Sequence, residues 1–265
     1  MEAAETIARP CVIELLDAAI SSPHAPETAE IEGINWRVRL DDHWVVGARP
    51  GSGKSGLLAV AAGLQRPARG THRLFGRETS TLSDHDQAQE RLRIGIVFEG
   101  GGRLFSHLTV AENIALPLRY HRDWPDDQVQ ERVAAVLELT GIAHLAEHRP
   151  ARVVRALQPR VGLARALALN PEALLLDNPL AGLDPRQARW WLDFLAGLAA
   201  GHGFFERRRM TLVVVTDDLR PWMGQGRQFA LLKDHRWLPL GGREAAAACT
   251  EPLLRELLAA EFAAE

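Results

Sequence analysis

The run Gly51-Ser52-Gly53-Lys54-Ser55 combines the residue types that hold phosphate. Dense negative charge is met best by backbone N–H groups turned inward, a path that a Cβ obstructs, and Gly51 and Gly53 remove that obstruction. Lys54 is spaced to reach the outer phosphates of a nucleotide, and the Ser55 hydroxyl to ligate Mg²⁺. Lys54 is one of two lysines, with Lys233, in a chain that otherwise uses arginine for positive charge. A compact ammonium suits a phosphate nest better than a guanidinium fork. The glycine that opens such a pattern falls on Ala48, with Gly47 one place early. Gly56 follows Ser55, so the candidate cradle is Gly51, Ser52, Gly53, Lys54, Ser55 and Gly56.

A cradle of this kind must join a strand end to a helix start. Before it, His43-Trp44-Val45-Val46 reads as a buried strand; after it, Leu57, Leu58, Ala61 and Leu64 share a helical face. Further strands are expected at 31–40, 71–75, 94–98, 173–176 and 212–215. Continuous apolar runs at 174–176 and 213–215 suit strands covered on both faces, hence a mainly parallel α/β sheet with active residues at the strands' carboxyl ends. Between 98 and 173 no strand is evident. Helical spacing at 126–140 and 157–169, with Pro159 in a first turn and Asn170-Pro171 as a stop, predicts a helical subdomain inserted into the sheet domain. The expected organisation is one domain over 1–265: sheet core at 1–100 and 171–249, helical insert at 101–170, and a last helix at 250–265. That helix, opening at Thr250-Glu251-Pro252, aligns Leu253, Leu254, Leu257, Leu258 and Phe262, either over its own core or against a partner. A hairpin is expected around Lys233-Asp234-His235. Trp190, Trp191, Phe194, Leu195 and Leu198 form a stripe assigned to core packing, and 201–209, with three consecutive arginines, to a solvated loop. No internal repeat is present.

The chain has 265 residues, 46% of them hydrophobic, and a formal net charge of −3. That composition fits a globular protein and gives no electrostatic basis for nucleic-acid binding. No apolar run approaches the ~20 residues of a membrane helix. The amino terminus, with Glu2, Glu5 and Arg9, lacks signal-peptide architecture, so a cytosolic location is expected. Cys11 and Cys249 cannot build a disulfide framework. His144 and His148 have metal-like helical spacing, but no further ligand accompanies them, and a surface pair is expected.

In this order the motifs resemble, over nearly the whole length, the nucleotide-binding subunit of an ABC transporter. Gly51 to Ser55 stands as Walker A, Leu163-Ala164-Arg165-Ala166-Leu167 as the helix after the signature, Ala173 to Asp177 as Walker B, and Ala181-Gly182-Leu183-Asp184 as the D-loop. The run 101–118, GGRLFSHLTVAENIALPL, further resembles the ATPase subunits of bacterial Mce-type phospholipid transporters. The resemblance implies an α/β fold of the P-loop NTPase (RecA-like) kind, a mainly parallel core with an antiparallel β portion and the helical insert. It implies ATP and Mg²⁺ as ligands, with Ser55, Asp177 and Glu99 toward the metal. It also implies a second cassette and a membrane permease as partners, at the inner face of the cytoplasmic membrane.

Several family positions are replaced. The catalytic glutamate after Walker B is Asn178, the switch histidine is Asp217, and the glutamine of the Q-loop is Glu99. The signature is Val153-Val154-Arg155-Ala156-Leu157, with valine for serine and arginine for the first glycine. Arg155 reads as a phosphate-pairing substitute or as a plain surface arginine. Asn178 cannot take a proton at neutral pH. An anion at Asp217 would face the terminal phosphate, and the loop carrying it is expected to sit open unless Mg²⁺ or Lys54 offsets the charge. The adenine-stacking aromatic has no counterpart at 21–28 beyond His24. No catalytic residue is therefore intact. The expected protein binds ATP, hydrolyses it poorly or not at all, and serves a structural or regulatory role beside a competent cassette, with phospholipid as cargo. The alternatives are an active homodimeric ATPase using Glu99 or Asp217, and a soluble regulator without a permease.

Overall fold

The computed structural model describes residues 9–22 and 25–259. The strands are β1 (Cys11–Ser22), β2 (Ala25–Arg39), β3 (His43–Ala48), β4 (Arg69–Leu74), β5 (Arg77–Glu78), β6 (Ile94–Val97), β7 (Ala173–Asp177), β8 (Thr211–Thr216), β9 (Gln228–Lys233) and β10 (Arg236–Gly242). The helices are α1 (Lys54–Ala61), α2 (Asp84–Leu92), α3 (Val110–His121), α4 (Asp126–Leu139), α5 (Gln158–Ala168), α6 (Pro185–Ala200), α7 (Arg243–Ala248) and α8 (Pro252–Leu258).

Among the described residues the strands form one sheet in the order β5-β4-β1-β2-β10-β9-β3-β8-β7-β6. The half containing β9-β3-β8-β7-β6 is parallel, as the apolar runs predict; β3, β7 and β8 are buried at every position. The other half pairs antiparallel through β1 with β2 and β4. β9 and β10 form the expected hairpin, turning through Asp234 and His235, both at positive φ as a tight two-residue turn requires.

Two apolar layers sandwich the sheet. One packs α1 against β1 to β3, with Trp36, Trp44 and Trp237 in mutual contact. The other gathers Trp191, Leu195 and Leu198 of α6 with Leu253, Leu254 and Leu257 of α8. The final helix therefore covers its own core; Phe262 lies outside the described residues. A third cluster, built from α3, α4 and α5, forms the body of the 101–170 segment. Pro159 sits in the first turn of α5, where its missing N–H costs nothing. α3 starts on a reciprocal cap, Thr109 with Glu112, and α6 on the Asp184 carboxylate, which accepts from the Arg186 and Gln187 amides.

β1 and α2 are absent from the sequence expectation. β1 departs from two-residue alternation because its pairing with β2 slips repeatedly, and Asp17 within it has positive φ. α2 buries Glu90 alone, so it carries no apolar stripe. His144 and His148 do not share a helical face: the local helix is a short turn at Ala143–Leu145, and both side chains are exposed.

Candidate functional site

Register brings the site together. Gly47 of β3 pairs with Thr216 of β8, and Asp177 of β7 pairs with Val215, so the 49–53 loop, Asp177-Asn178 and Asp217 emerge at one edge of the sheet. Gly51 (φ 74°) and Gly53 (φ 85°) take left-handed conformations, and Gly53 leads directly into α1. Gly47 leaves room for the core around it: a Cβ there would stand 2.7 to 2.9 Å from the side-chain ends of Leu219, Leu257 and Leu231, which would have to shift. The neighbouring Ala48 is wholly buried at the end of β3.

Two side chains of the loop meet carboxylates at the strand ends. Lys54 is only 7% exposed, and its Nζ lies 3.5 Å from Asp217 Oδ2. The Ser55 hydroxyl donates to Asp177 Oδ2 at 2.5 Å. Asp177 Oδ1 and Ser52 Oγ are buried without a hydrogen-bond partner. Burial raises the Asp177 carboxyl above its usual range, partly opposed by the Ser55 hydrogen bond and by Lys54. A buried, half-satisfied carboxylate beside a hydroxyl is a fitting donor pair for Mg²⁺, and the glycine-lined turn fits a phosphate chain.

Asn178 is buried, with φ 45°. Its Nδ2 donates to Asp217 Oδ2 at 3.0 Å, and its Oδ1 accepts from the Thr216 hydroxyl at 3.3 Å. The loop after β8 is thus turned inward, in the arrangement the charge argument allows when Lys54 offsets Asp217. Lys54 and the Asn178 amide hold the Asp217 carboxylate inward and offset its charge. Glu99 is exposed, on the turn after β6, and lines a cleft of about 290 Å³ with Asn178, Thr216 and Asp217. No hydrogen bond joins it to Ser55 or Asp177 among the described residues, and no three acidic, histidine or cysteine side chains there are arranged to hold a metal unaided. At the signature position Val153 is buried, Val154 is 68% exposed, and Arg155 opens a short turn leading into α5. His24 lies outside the described residues.

Sequence reasoning named Lys54 as a group that could offset Asp217 but missed a second tie to the cradle. Arg49, inside the loop, is held by Glu256 of α8 through two guanidinium donors. Opposite charge was the available signal, but a separation of 207 residues hides the pairing.

A mixed sheet carrying a glycine-lined turn into a helix, with a lysine, a hydroxyl and a strand-end aspartate at its mouth, defines a phosphate-loop nucleotide-binding domain. Residues 31–181 match the family model described as ABC transporter, and the chain belongs to that family. It is 36% identical over 193 residues to the methionine import ATP-binding protein MetN of Brucella abortus (strain 2308), covering 73% of this chain and 50% of that protein. It is 31% identical over 214 residues to the lipoprotein-releasing system ATP-binding protein LolD of Hydrogenovibrio crunogenus, covering 80% and 90%. The chain thus spans about half the length of its MetN relatives. Among solved structures, the ATP-binding cassette MJ0796, in a dimeric post-hydrolysis state bound to ADP and Pi, superposes with TM-score 0.76 at 26% identity, covering 87% of this chain and 100% of that one. CbiO1 of Clostridium perfringens, part of the ABC transporter complex cbiONQ, shares the fold with TM-score 0.76 at 23% identity over 91% and 92%. No helix among the described residues is long and apolar enough to cross a membrane.

Proposed function

We propose that the chain is the ATP-binding subunit of a membrane transporter that holds nucleotide with Mg²⁺ but hydrolyses it poorly or not at all. The observation that carries this reading is the contrast at one sheet edge. The cradle of Gly51 to Gly56 is built, and Ser55 and Asp177 fit Mg²⁺, yet the position next to Asp177 holds an amide already engaged with Asp217 and Thr216. When bound, Mg²⁺ supplies charge neutralisation to the phosphates. Lys54 adds a buried ammonium, and Ser55 and Asp177 supply oxygen ligands. What the chain lacks is a group to take the proton of an attacking water, an aid typically worth ~10²–10⁴ in rate. Glu99 as a third metal ligand is part of this proposal, supported by its place in the same cleft.

The same reading extends to partners. A second cassette completes each site in this family, and here the surface meant for its nucleotide presents the exposed Val154 instead of a serine hydroxyl. That loss on both halves supports a structural or regulatory member beside a competent, different cassette. The 101–170 segment serves as the inserted helical subdomain. An open groove of about 980 Å³ between the Glu99 turn and α3, lined by Phe98, Phe105, Leu116 and Tyr120, supports docking to a permease at the cytoplasmic membrane face. For cargo, the run 101–118 and the likeness to LolD favour a lipid or lipidated molecule, whereas the MetN likeness favours methionine. Mass spectrometry of cargo in the purified complex separates the two.

Phosphate release by the purified chain is expected at background and unchanged by Lys54→Ala. Turnover at transporter-like rates that vanishes in Lys54→Ala would overturn the proposal in favour of an active homodimer. Failure to co-purify with membrane subunits would favour a soluble regulator.

A further inference from the structure

The Asp217 carboxylate already engages Lys54, the side-chain donor an outermost phosphate would call on, and is held there by the neighbouring Asn178 amide. Its Oδ2 lies 3.5 Å from Lys54 Nζ and accepts from Asn178 Nδ2 at 3.0 Å. In loops of this kind the backbone amides cradle the inner phosphates, while the lysine reaches the outer two, the second and the third. A diphosphate can sit in the Gly51 to Ser55 turn and share Lys54 with Asp217. A triphosphate brings a further anion toward the same ammonium and the same amide. It must either displace the carboxylate or stand against it.

The carboxylate is not easily turned away. Lys54 is only 8% exposed, so little water is available to solvate its ammonium once the carboxylate, 19% exposed and lining the cleft, parts from it. Thr216 stiffens the arrangement: its hydroxyl donates to Asn178 Oδ1 and accepts from the Asp218 amide, fixing both the amide and the turn that carries Asp217. Asp177, bonded to Ser55, lies within electrostatic reach of both Lys54 and Asp217, so a third anionic group would enter a space already holding two carboxylates and one lysine.

We propose that Asp217 is a specificity-determining residue that ranks this site for nucleoside diphosphates over triphosphates, so that the resting occupant is a diphosphate. The inference rests on the nucleotide-binding reading above and narrows its ligand.

The test is equilibrium binding of Mg-ADP and Mg-ATP to the purified full chain by calorimetry. It is run on the wild type, Asp217→Asn, Asp217→Ser and, as a control, Asp218→Asn, which removes a neighbouring charge paired with Arg220 rather than Lys54. The expected wild-type preference for Mg-ADP is at least about tenfold, ~1.4 kcal/mol. Asp217→Asn and Asp217→Ser should bring the ratio to within about twofold by tightening Mg-ATP, while Asp218→Asn preserves it. Equal wild-type affinities, a preference that persists in both Asp217 variants, or a parallel weakening of both nucleotides would overturn the inference and leave the nucleotide-binding reading standing. Binding of neither nucleotide by the wild type and both Asp217 variants, with thermal melting confirming folded protein, would remove that reading and the inference together.

Discussion

The Ser55 hydroxyl reaches Asp177 Oδ2 at 2.5 Å, tying the first turn of α1 to the carboxyl end of β7. The other carboxylate oxygen is buried without a partner, which leaves an acceptor open to the proposed Mg²⁺. Asp177→Asn is therefore expected to weaken Mg²⁺-supported nucleotide binding by about 10–100-fold, the loss typical of removing a metal-orienting group. Binding measured in EDTA should not change. Calorimetry with and without the metal checks both.

Restoring one catalytic group should not restore the enzyme. Asn178→Glu places a second carboxylate against Asp217, where like charges ~4 Å apart repel by up to about 4 kcal/mol before solvent screening. Phosphate release by the single variant is expected to stay at background. Asn178→Glu combined with Asp217→His removes that repulsion and supplies a base, and should raise release by up to ~10²–10⁴ when paired with a cassette whose signature is intact. A large gain in the single variant would contradict the geometry.

Burial holds both His43 and His72 near pKa 4, below the ordinary 6.5. Their folded forms are neutral, so between pH 6.5 and 4 the unfolded chain binds more protons and stability falls as pH falls. Each histidine is worth about 3 kcal/mol over that window, and neither contributes further loss below it. Urea denaturation at pH 7 and pH 4.5 should register the drop, and His43→Leu should reduce it.

Two contacts hold α8 near the phosphate loop, and burial outweighs charge. Leu257 is 6% exposed above Gly47; Leu257→Ala should cost about 2–5 kcal/mol. The Arg49–Glu256 pair is exposed on both sides, so Glu256→Ala should barely move the melting temperature. Thermal denaturation of the two variants gives the ranking.

What the sequence discloses depends on how local the cause is. The strand, glycine turn and helix around Lys54 are readable because each signal lies within a few residues of its effect, and the apolar runs of β7 and β8 mark them as buried parallel strands. β1 is hidden by its own register slips, and α2 by a surface-only composition. α3 could have been found from the Thr109 and Glu112 cap, despite Pro117 within it. Lys54 as an offset for Asp217 is legible through the order of motifs, whereas the contact's geometry is set by how β8 lies beside β3, which no spacing along the chain encodes. The Arg49–Glu256 tie has no motif to announce it.

The tether between Arg49 and Glu256 has a practical corollary for anyone preparing this protein. α8 ends at Leu258, so an affinity tag or reporter fused just past that helix hangs within a few residues of Glu256, whose carboxylate holds Arg49 of the glycine loop. Affinities measured on such a fusion would report the appendage as well as the pocket, and a cleavable fusion is the sound choice for ligand titrations.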